Sequence, residues 1–368
     1  MTSQAGGLSA SAARRLCVAL DVGPLLDPPT GVGRYTRELA RNLELVGVDL
    51  RRYEVALRGP REATTARWRL PARAVRLAWR HLDRPAIGGL VGGVDVVHGT
   101  NFVLPALGGV PGVVTVHDLS YLRNDTFPGG KRLRALVPWS IRRAARVLCP
   151  TQAIAAEVEE RYAVGASKVV VTHEGVSPVF FGAQPLGESA LARLGIAGPF
   201  VLAVGTIEPR KNLAMLLEAW RRASRHLRGW TLVLAGAKGW GPELPETPGV
   251  VPLGWVGDET LPGLLAAAEL FCYPSLYEGF GLPPLEAMAA GTPALVGRYR
   301  AVDEVLGEAA LSVDPSDPDA IADALVSLVA DDNLRRKFVR AGRARASTYT
   351  WERTALATAR AYREACGR

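Results

Sequence analysis

The sequence has few of the side chains that cross-link a chain or bind a metal. Its 368 residues include only four cysteines, scattered at positions 17, 149, 272 and 366, and three of them lie in or beside apolar runs. This scatter argues against a disulfide framework and against a cysteine zinc site, and it fits a reducing cytoplasm. The five histidines show no metal-ligand spacing, so we expect no metal and no other cofactor.

Long apolar runs and an excess of acids are also missing. No apolar run reaches the roughly 18 residues that a membrane span requires. Asp and Glu number 36 against 44 Lys and Arg, which gives a net charge of +8. A basic chain favours anionic partners, and nucleic acid, anionic lipid and phosphorylated small molecules all meet that description. The hydrophobic content of 48% is typical of a folded protein, and the length predicts two domains.

Apolar runs rich in β-branched residues alternate with segments of helical periodicity along both halves of the chain. Examples of the runs are "LCVALDVG", "GVVTVHD" and "FVLAVGT", and the predicted helices include 34–46, 131–145, 211–228, 284–290 and 318–330. Such alternation predicts an α/β fold with two parallel, Rossmann-like sheets that face each other across a crevice. We place the domains at 1–180 and 181–345, with their junction in the Gly, Pro and Ser-rich segment 175–199. A final helix in 346–368 is expected to pack back against the first domain.

The stretch "PSLYEGFGLPPLEAMAAGTP" (274–293) places two acids around a glycine-rich loop. It follows the apolar run "LFCYPS", so we expect the loop at the carboxyl end of a strand, with a helix beginning at its prolines. Free peptide N–H groups at Gly279, Phe280, Gly281 and Leu282 would then form an anion site that suits phosphate. Glu278 before the loop and Glu286 in the helix's first turn could accept hydrogen bonds from hydroxyls, which together predicts a nucleotide-sugar site.

Several strings, in this order and spacing, resemble glycosyltransferase family 4, whose members are retaining enzymes of the GT-B fold with a Glu-x7-Glu signature. They are "GVGRYTREL" (31–39), "TVHDL" (115–119), "GTIEPRKN" (205–212), "LGWV" (253–256), the stretch at 274–293, and "LGEAALSVDPSDPDAIADAL" (306–325). The resemblance extends over nearly the whole chain. It departs from the family at "GRYRAVDEV" (297–305), where Asp303 replaces a proline.

The resemblance assigns roles to particular residues of the second half. Arg210 and Lys211 match the cations that contact the donor diphosphate and stabilise the leaving nucleotide. Glu286 matches the acid on the ribose hydroxyls, and Glu278 matches the acid near the donor sugar. Gly205 and Val256 lie within matching strings and are expected in the donor site.

The resemblance also extends to the first half, where His117 matches a histidine that meets the donor sugar. Gly31 and Gly33 match a glycine loop, placed before a helix, that approaches donor phosphate or acceptor. A nicotinamide site at these glycines fits poorly, because Thr36 stands where a third glycine is needed. The triplet "DPD" (317–319) spells the metal-binding DxD of the other large glycosyltransferase fold, but we interpret Asp317 as a helix N-cap followed by a proline in the first helical position.

The resemblance, together with these residues, implies a metal-independent, retaining hexosyltransferase. The donor is expected to be a nucleotide-diphospho-sugar, with GDP-mannose the leading guess by resemblance, and the acceptor a hydroxyl of a glycan, glycolipid or metabolite. Two alternatives stay open: a catalytically silent scaffold subunit, and a nucleotide-sugar epimerase or hydrolase of the same fold. The sequence does not decide between front-face and double-displacement chemistry.

The surplus positive charge is concentrated in two segments of the first half. Segment 61–84 carries seven arginines and two acids, and segment 131–146 carries six basic residues and no acid. Arginine interleaved with Trp and Leu suits an anionic membrane surface, so we expect a cytoplasmic protein that lies peripherally on the inner face of the cell membrane. A plain solvated helix face remains the alternative. No nucleic-acid-binding module is present, and we expect no nucleic-acid partner.

Overall fold

The computed structural model describes residues 15–26, 30–57 and 66–367, and these residues form two parallel sheets flanked by helices. The first domain contains β1 (Cys17–Asp21), α1 (Gly31–Leu45), β2 (Asp49–Val55), β3 (Ala66–Trp68), α2 (Ala72–Leu82), α3 (Gly88–Val91), β4 (Val96–Gly99), β5 (Gly112–Thr115), α4 (Ser120–Arg123), α5 (Gly130–Arg143), β6 (Arg146–Cys149), α6 (Gln152–Tyr162) and β7 (Val169–Val171). Its seven strands are ordered β3-β2-β1-β4-β5-β6-β7.

The second sheet has six described strands in the order β10-β9-β8-β11-β12-β13. The elements after β7 are α7 (Pro178–Phe181), α8 (Glu188–Arg193), β8 (Phe200–Val204), α9 (Leu213–Ala223), β9 (Thr231–Ala235), β10 (Val250–Gly254), α10 (Leu261–Ala267), β11 (Leu270–Tyr273), α11 (Leu282–Ala290), β12 (Ala294–Gly297), α12 (Arg300–Leu306), β13 (Leu311–Val313), α13 (Pro318–Ala330), α14 (Asp332–Ala346) and α15 (Trp351–Ala365). Together the two sheets form the GT-B fold.

Both sheets are parallel in every pairing between described strands, as the alternating pattern predicts. Their central strands are apolar runs buried on both faces; β5 and β11, for example, are buried along their full length. None of the helices in the described residues combines the length and the hydrophobicity that a membrane span needs.

Local sequence signals explain where several helices begin. Asp317 caps α13 by accepting hydrogen bonds from the backbone N–H groups of Asp319 and Ala320, and Pro318 is the first residue of that helix. The cap interpretation of "DPD" is therefore confirmed. The helix predicted over 211–228 is shorter, because Asn212 adopts a left-handed conformation (φ 58°) and α9 spans only Leu213–Ala223.

The C-terminal helix α15 packs back on the first domain, as expected. Its Tyr362 hydroxyl lies 2.6 Å from Nδ1 of His98 on β4, and its Trp351 ring packs 6.1 Å from Tyr35 of α1. Ala355, Ala359 and Tyr362 of α15 are buried. This helix therefore ties the end of the chain to the first sheet, and it adds apolar area that holds the two domains together.

Candidate functional site

A cleft of about 420 Å³ separates the two domains at the carboxyl ends of their strands. Its volume lies within the range of small-molecule sites, and its position follows the rule for open parallel sheets. The first domain contributes Arg34, His117 and Glu174 to its wall, and the second contributes Lys211, Glu278 and Glu286. The cleft thus brings together residues from distant parts of the sequence.

Glu278 is the best-connected acid in the cleft. It lies just after β11, it is 7% exposed, and its Oε1 is 2.6 Å from Nζ of Lys211. Arg210 pairs with its other oxygen, and the Tyr273 hydroxyl donates a hydrogen bond of 2.9 Å to Oε1. Lys211 also donates to the Tyr273 hydroxyl at 2.6 Å. One carboxylate, two cations and a phenol therefore form a closed network.

This network determines the charge of Glu278. Burial alone would raise the pKa of Glu278, but attraction to Arg210 and then Lys211, with hydrogen bonds from Lys211 and Tyr273, lowers it to about 2. Burial and repulsion from Arg210 lower the pKa of Lys211, and the Glu278 carboxylate opposes them. Glu278 is therefore ionised at neutral pH.

The two cations sit on a short 3-10 turn, Pro209–Lys211, that follows β8. Asn212 fixes the end of this turn, because its side-chain amide donates to the carbonyls of Pro274 and Pro315 at 3.1 and 2.6 Å. Gly205 is needed on the other side. Its φ is 156°, and a β-carbon there would lie 3.2 Å from Cε of Lys211. Arg210 and Lys211 line the cleft at the position the sequence predicted.

The loop before α11 has the predicted shape. Gly281 has a φ of 102°, a conformation that favours glycine, and α11 begins at Leu282 with prolines in its first turn. Gly279, Phe280, Gly281 and Leu282 all line the cleft. The N-terminus of α11 therefore presents its dipole to the cleft, an arrangement that favours an anion.

Glu286 lies further along its helix than expected, and its side chain has an ion-pair partner that the sequence did not predict. It is the fifth residue of α11 and so lies beyond the first turn, because the helix begins at Leu282, before the predicted start at residue 284. Its side chain is 3% exposed and pairs with Arg34 of α1. Burial raises the pKa of Glu286, and Arg34 partly counteracts this shift. Arg34 also binds Asp258 at 2.9 Å, and Arg37 binds the other oxygen of Asp258 at 2.8 Å.

His117 follows β5 and reaches the cleft from the first domain. Its Nε2 lies 2.9 Å from the carbonyl oxygen of Thr100, so Nε2 carries the proton and donates it. Its Nδ1 lies 3.5 Å from Oε1 of Glu174, and both residues line the cleft. The ring of Tyr35 packs edge-on against the imidazole at 4.7 Å. The orientation of His117 is therefore fixed by the backbone and an aromatic neighbour.

The glycines of the first domain need a correction. Gly31 and Gly33 were expected in a loop before a helix, but α1 begins at Gly31 with Thr30 as its N-cap, so both lie in the helix's first turn. Gly31 lines the cleft, whereas Gly33 is absent from its wall and faces the carbonyl of Pro24. Val256 and Gly205 do line the cleft.

Sequence reasoning missed four polar residues of this region: Arg34, Glu174, Tyr273 and Tyr299. Arg34 stands directly after the glycines of "GVGRYT", and Glu174 is the last residue but one of the string "KVVVTHEG", so each had a local signal. Tyr273 was read only as part of a buried strand. Tyr299 falls in the departing stretch 297–305, and its buried hydroxyl has no hydrogen-bond partner in the described part of the chain.

Comparison with known proteins gives the same family for both domains. Residues 29–180 match the model described as glycosyltransferase family 4, and residues 198–331 match the model described as glycosyl transferases group 1. The O-antigen chain mannosyltransferase B of Escherichia coli is 33% identical over 73% of this chain and 74% of its own length. The MMP alpha-(1->4)-mannosyltransferase of Mycolicibacterium hassiacum is 31% identical, over 77% of this chain and 73% of that protein.

Among solved structures, sucrose-phosphate synthase from Thermosynechococcus elongatus superposes with a TM-score of 0.74 at 20% identity, over 95% of this chain and 99% of that one. At this identity the structural similarity shows the fold alone, whereas the family is shown by the sequence matches. The chain belongs to the family 4, group 1 glycosyltransferases.

Proposed function

We propose that this protein is a retaining, metal-independent transferase that moves a hexose from a nucleotide-diphospho-sugar to an acceptor hydroxyl. The network of Glu278 with Arg210 and Lys211, placed beside the N-terminus of α11, carries this proposal. It puts a fixed carboxylate, two cations and a helix dipole around one cleft. That combination suits a diphosphate joined to a sugar, since cations and a helix N-terminus favour phosphate while a carboxylate favours hydroxyls.

The donor would lie along the second domain. The peptide N–H groups of 279–282 would hold the diphosphate, and Glu286 would accept hydrogen bonds from the ribose. Arg210 has a donor available for the diphosphate, because its buried Nε has no acceptor among the described residues. As the bond from sugar to diphosphate breaks, Arg210 and Lys211 would stabilise the negative charge that develops on the leaving nucleotide.

The cation pair also bears on the need for a metal. Glycosyltransferases that neutralise the leaving diphosphate with side chains have no need of a divalent ion at that position, and Arg210 and Lys211 stand where they can do so. Glu278 accepts from three donors and is ionised at neutral pH. A carboxylate held by three donors is better suited to stabilising charge on the reacting sugar than to attacking it as a nucleophile. This arrangement therefore favours front-face transfer over double displacement.

Mannose is our proposal for the transferred sugar, with GDP-mannose as its donor. The two curated relatives described above are mannosyltransferases by name and share 33% and 31% identity with this chain. The acceptor would enter from the first domain, where His117 and Glu174 face the cleft. A glycan or a lipid-linked sugar has the hydroxyl that this reaction requires.

We also propose that the first domain rests on anionic lipid. The part of segment 61–84 before residue 66 lies outside the described residues, and the remainder forms β3 and α2. On α2, Arg73, Leu77 and Arg80 are exposed at helical spacing, while Val75 and Trp79 are buried. Leu77 and Leu82 are 60% and 70% exposed, so the helix has apolar side chains between its arginines that could contact lipid.

The second basic segment adjoins this helix. Arg143 of α5 pairs with Asp83, the residue that follows α2, so the two helices meet at their carboxyl ends. Lys131 and Arg132 of α5 are exposed. Arg134 and Arg146 pair with Asp125 and Glu364 at 2.7 and 3.3 Å, so part of the segment's charge is neutralised. We define the basic surface as the exposed side chains Arg69, Arg73, Leu77, Arg80, Leu82, Arg84, Lys131 and Arg132.

A thermal-shift panel tests the nucleotide-sugar proposal. GDP, UDP and ADP are added to the full chain, with and without EDTA, and GDP-mannose and UDP-glucose are then assayed for turnover. A ligand present at about 100 times its Kd stabilises a protein by about 2.7 kcal/mol, which is visible as a rise in Tm. We expect the largest rise with GDP and no effect of EDTA. A rise that EDTA abolishes would contradict metal independence, and no rise with any nucleotide would contradict the proposed function.

A further inference from the structure

Glu286 is a buried acid whose charge is balanced from the opposite domain. It belongs to α11, whereas its ion-pair partner Arg34 belongs to α1, 252 residues earlier in the chain. The Glu286 side chain is 3% exposed and that of Arg34 is 23% exposed. A buried carboxylate without a cation is strongly unfavourable, so the second domain depends on the first for the charge state of this acid.

The contact uses only one oxygen of the acid. Arg34 donates from one nitrogen to Oε1 of Glu286. The hydrogen bonds between described residues include none to Oε2, although Glu286 lines the cleft. Arg34 thus fixes the carboxylate and leaves an acceptor for a ligand.

Arg34 is itself held in place. Its second terminal nitrogen binds Oδ1 of Asp258 at 2.9 Å, and Phe180 packs 5.8 Å from the guanidinium carbon. Asp258 receives a further bond of 2.8 Å from Arg37, one turn along α1. A planar guanidinium that bridges two carboxylates has little freedom to rotate, and lysine cannot reproduce this geometry.

We propose that Arg34 is a positioning residue of the donor site, which orients the Glu286 carboxylate and keeps it charged for the ribose hydroxyls of the nucleotide. This inference rests on the proposed function, in which Glu286 accepts from the ribose. It goes further in making the donor site a composite of both domains. The nucleotide then meets a complete ribose site only when α1 lies against the second domain.

The charged groups around Glu286 agree with this role. Arg34 acts on it from α1, while Asp258 and Glu174 are acids that oppose its ionisation from the loop after β10 and the segment after β7. Among the described residues, Arg34 is the cation that lowers the pKa of Glu286, so its removal shifts the carboxylate towards the protonated form. A protonated Glu286 would present a weaker acceptor to a diol.

The test separates an effect through Glu286 from a direct effect on phosphate. Calorimetric titration of wild type with GDP, UDP and ADP identifies the tightest nucleoside diphosphate, and its 2′,3′-dideoxy form is the second probe. We expect Arg34→Gln to weaken the normal nucleotide by about 10- to 100-fold, the scale of a lost charged hydrogen bond. Because the dideoxy form has no hydroxyls for Glu286, it should lose less than about threefold. An equal loss for both probes would overturn the proposal.

Two further variants complete the experiment. Arg41→Gln is the matched control, since Arg41 is an exposed arginine on the same helix, and it should bind as wild type does. Arg34→Lys should recover binding only in part. Arg34→Gln alone leaves the buried Glu286 carboxylate without a cation and can fold poorly, so it is also made in the Glu286→Gln background, where that charge is absent. There, Arg34→Gln should have little further effect on nucleotide affinity. Additive losses there would overturn the proposal. If no nucleotide binds wild type, the proposed function itself has failed.

Discussion

The carbonyl oxygen of His117 lies directly against the α-carbon of Gly279, and this contact joins the two domains at the centre of the cleft. A β-carbon on Gly279 would stand 1.8 Å from that oxygen. The Thr151 hydroxyl of the first domain also donates to the Gly279 carbonyl at 3.0 Å. A glycine at position 279 is therefore required by the approach of the other domain, in addition to any role in binding a ligand.

We predict that Gly279→Ala prevents this closed arrangement. Because the added β-carbon would clash with the backbone carbonyl of His117, which cannot rotate away as a side chain can, the domains must separate. Transfer should then fall by roughly 100-fold or more, because the reacting groups lose their alignment. Affinity for a nucleoside diphosphate should fall much less, as most of its proposed contacts come from the second domain. Steady-state kinetics together with small-angle scattering will measure both effects.

The control for this substitution is Gly182→Ala. Gly182 has a φ of −97°, and a β-carbon there would meet no atom within 4 Å. Its activity and radius of gyration should match those of wild type. A Gly279→Ala protein with wild-type kinetics would show that the closed contact is irrelevant to transfer.

Lys211→Ala should reduce transfer by roughly 100-fold, the scale expected when a charge contact to the leaving group is lost. Lys211 is 8% exposed and binds both Glu278 and Tyr273, so the substitution also removes one of the two donors to Oε1 of the acid. Lys238→Ala is the matched control, because Lys238 is a surface lysine whose side chain is 76% exposed. We expect the control to retain full turnover. If the kinetics of Lys211→Ala lie within about threefold of wild type, Lys211 does not stabilise the leaving group.

The sequence predicted the parallel strands and the glycine-rich loop before α11 because both depend on local patterns. Fully buried strands are apolar runs, and a helix that begins at prolines after glycine is readable from neighbouring residues. Strand β2 (Asp49–Val55) was not predicted, because its sequence "DLRRYEV" is half exposed at one end and carries four charged residues. Periodicity detects apolar, buried strands more readily than a charged and partly exposed strand such as this one.

The partners of the charged residues could not be predicted in the same way. Arg34 and Glu286 are separated by 252 positions, and only the way the two domains face each other across the cleft brings their side chains together. Glu278 and Lys211 are 67 positions apart. Residue type and motif located these side chains near a common cleft, whereas the ion pairs depend on how two domains close. The domain boundary at 180 and the individual site roles remain predictions.

The Glu278 network predicts a specific pH dependence of stability. A carboxyl whose pKa is about 2 when folded and about 4.5 when unfolded stabilises the fold above the unfolded value, and this stability is lost as the pH falls from about 4.5 towards 2. The shift corresponds to roughly 3 kcal/mol. Urea denaturation at a series of pH values should therefore show wild type losing its advantage over Glu278→Gln in this window. A constant difference between the two proteins across it would contradict the shift.

Binding of the basic surface to membranes should depend on lipid charge and on salt. The full chain should co-sediment with vesicles of phosphatidylcholine that contain phosphatidylglycerol, and binding should fall as salt is added, because exposed charges are screened over about 8–10 Å at physiological ionic strength. Arg73→Gln combined with Arg80→Gln should weaken binding by roughly 30-fold, at about 1 kcal/mol for each basic residue near the surface. The matched control is Arg225→Gln with Arg228→Gln, two exposed arginines of the second domain, which should bind as wild type does. Equal binding to neutral and anionic vesicles, or equal losses in both double variants, would leave α2 as a solvated helix with no membrane role.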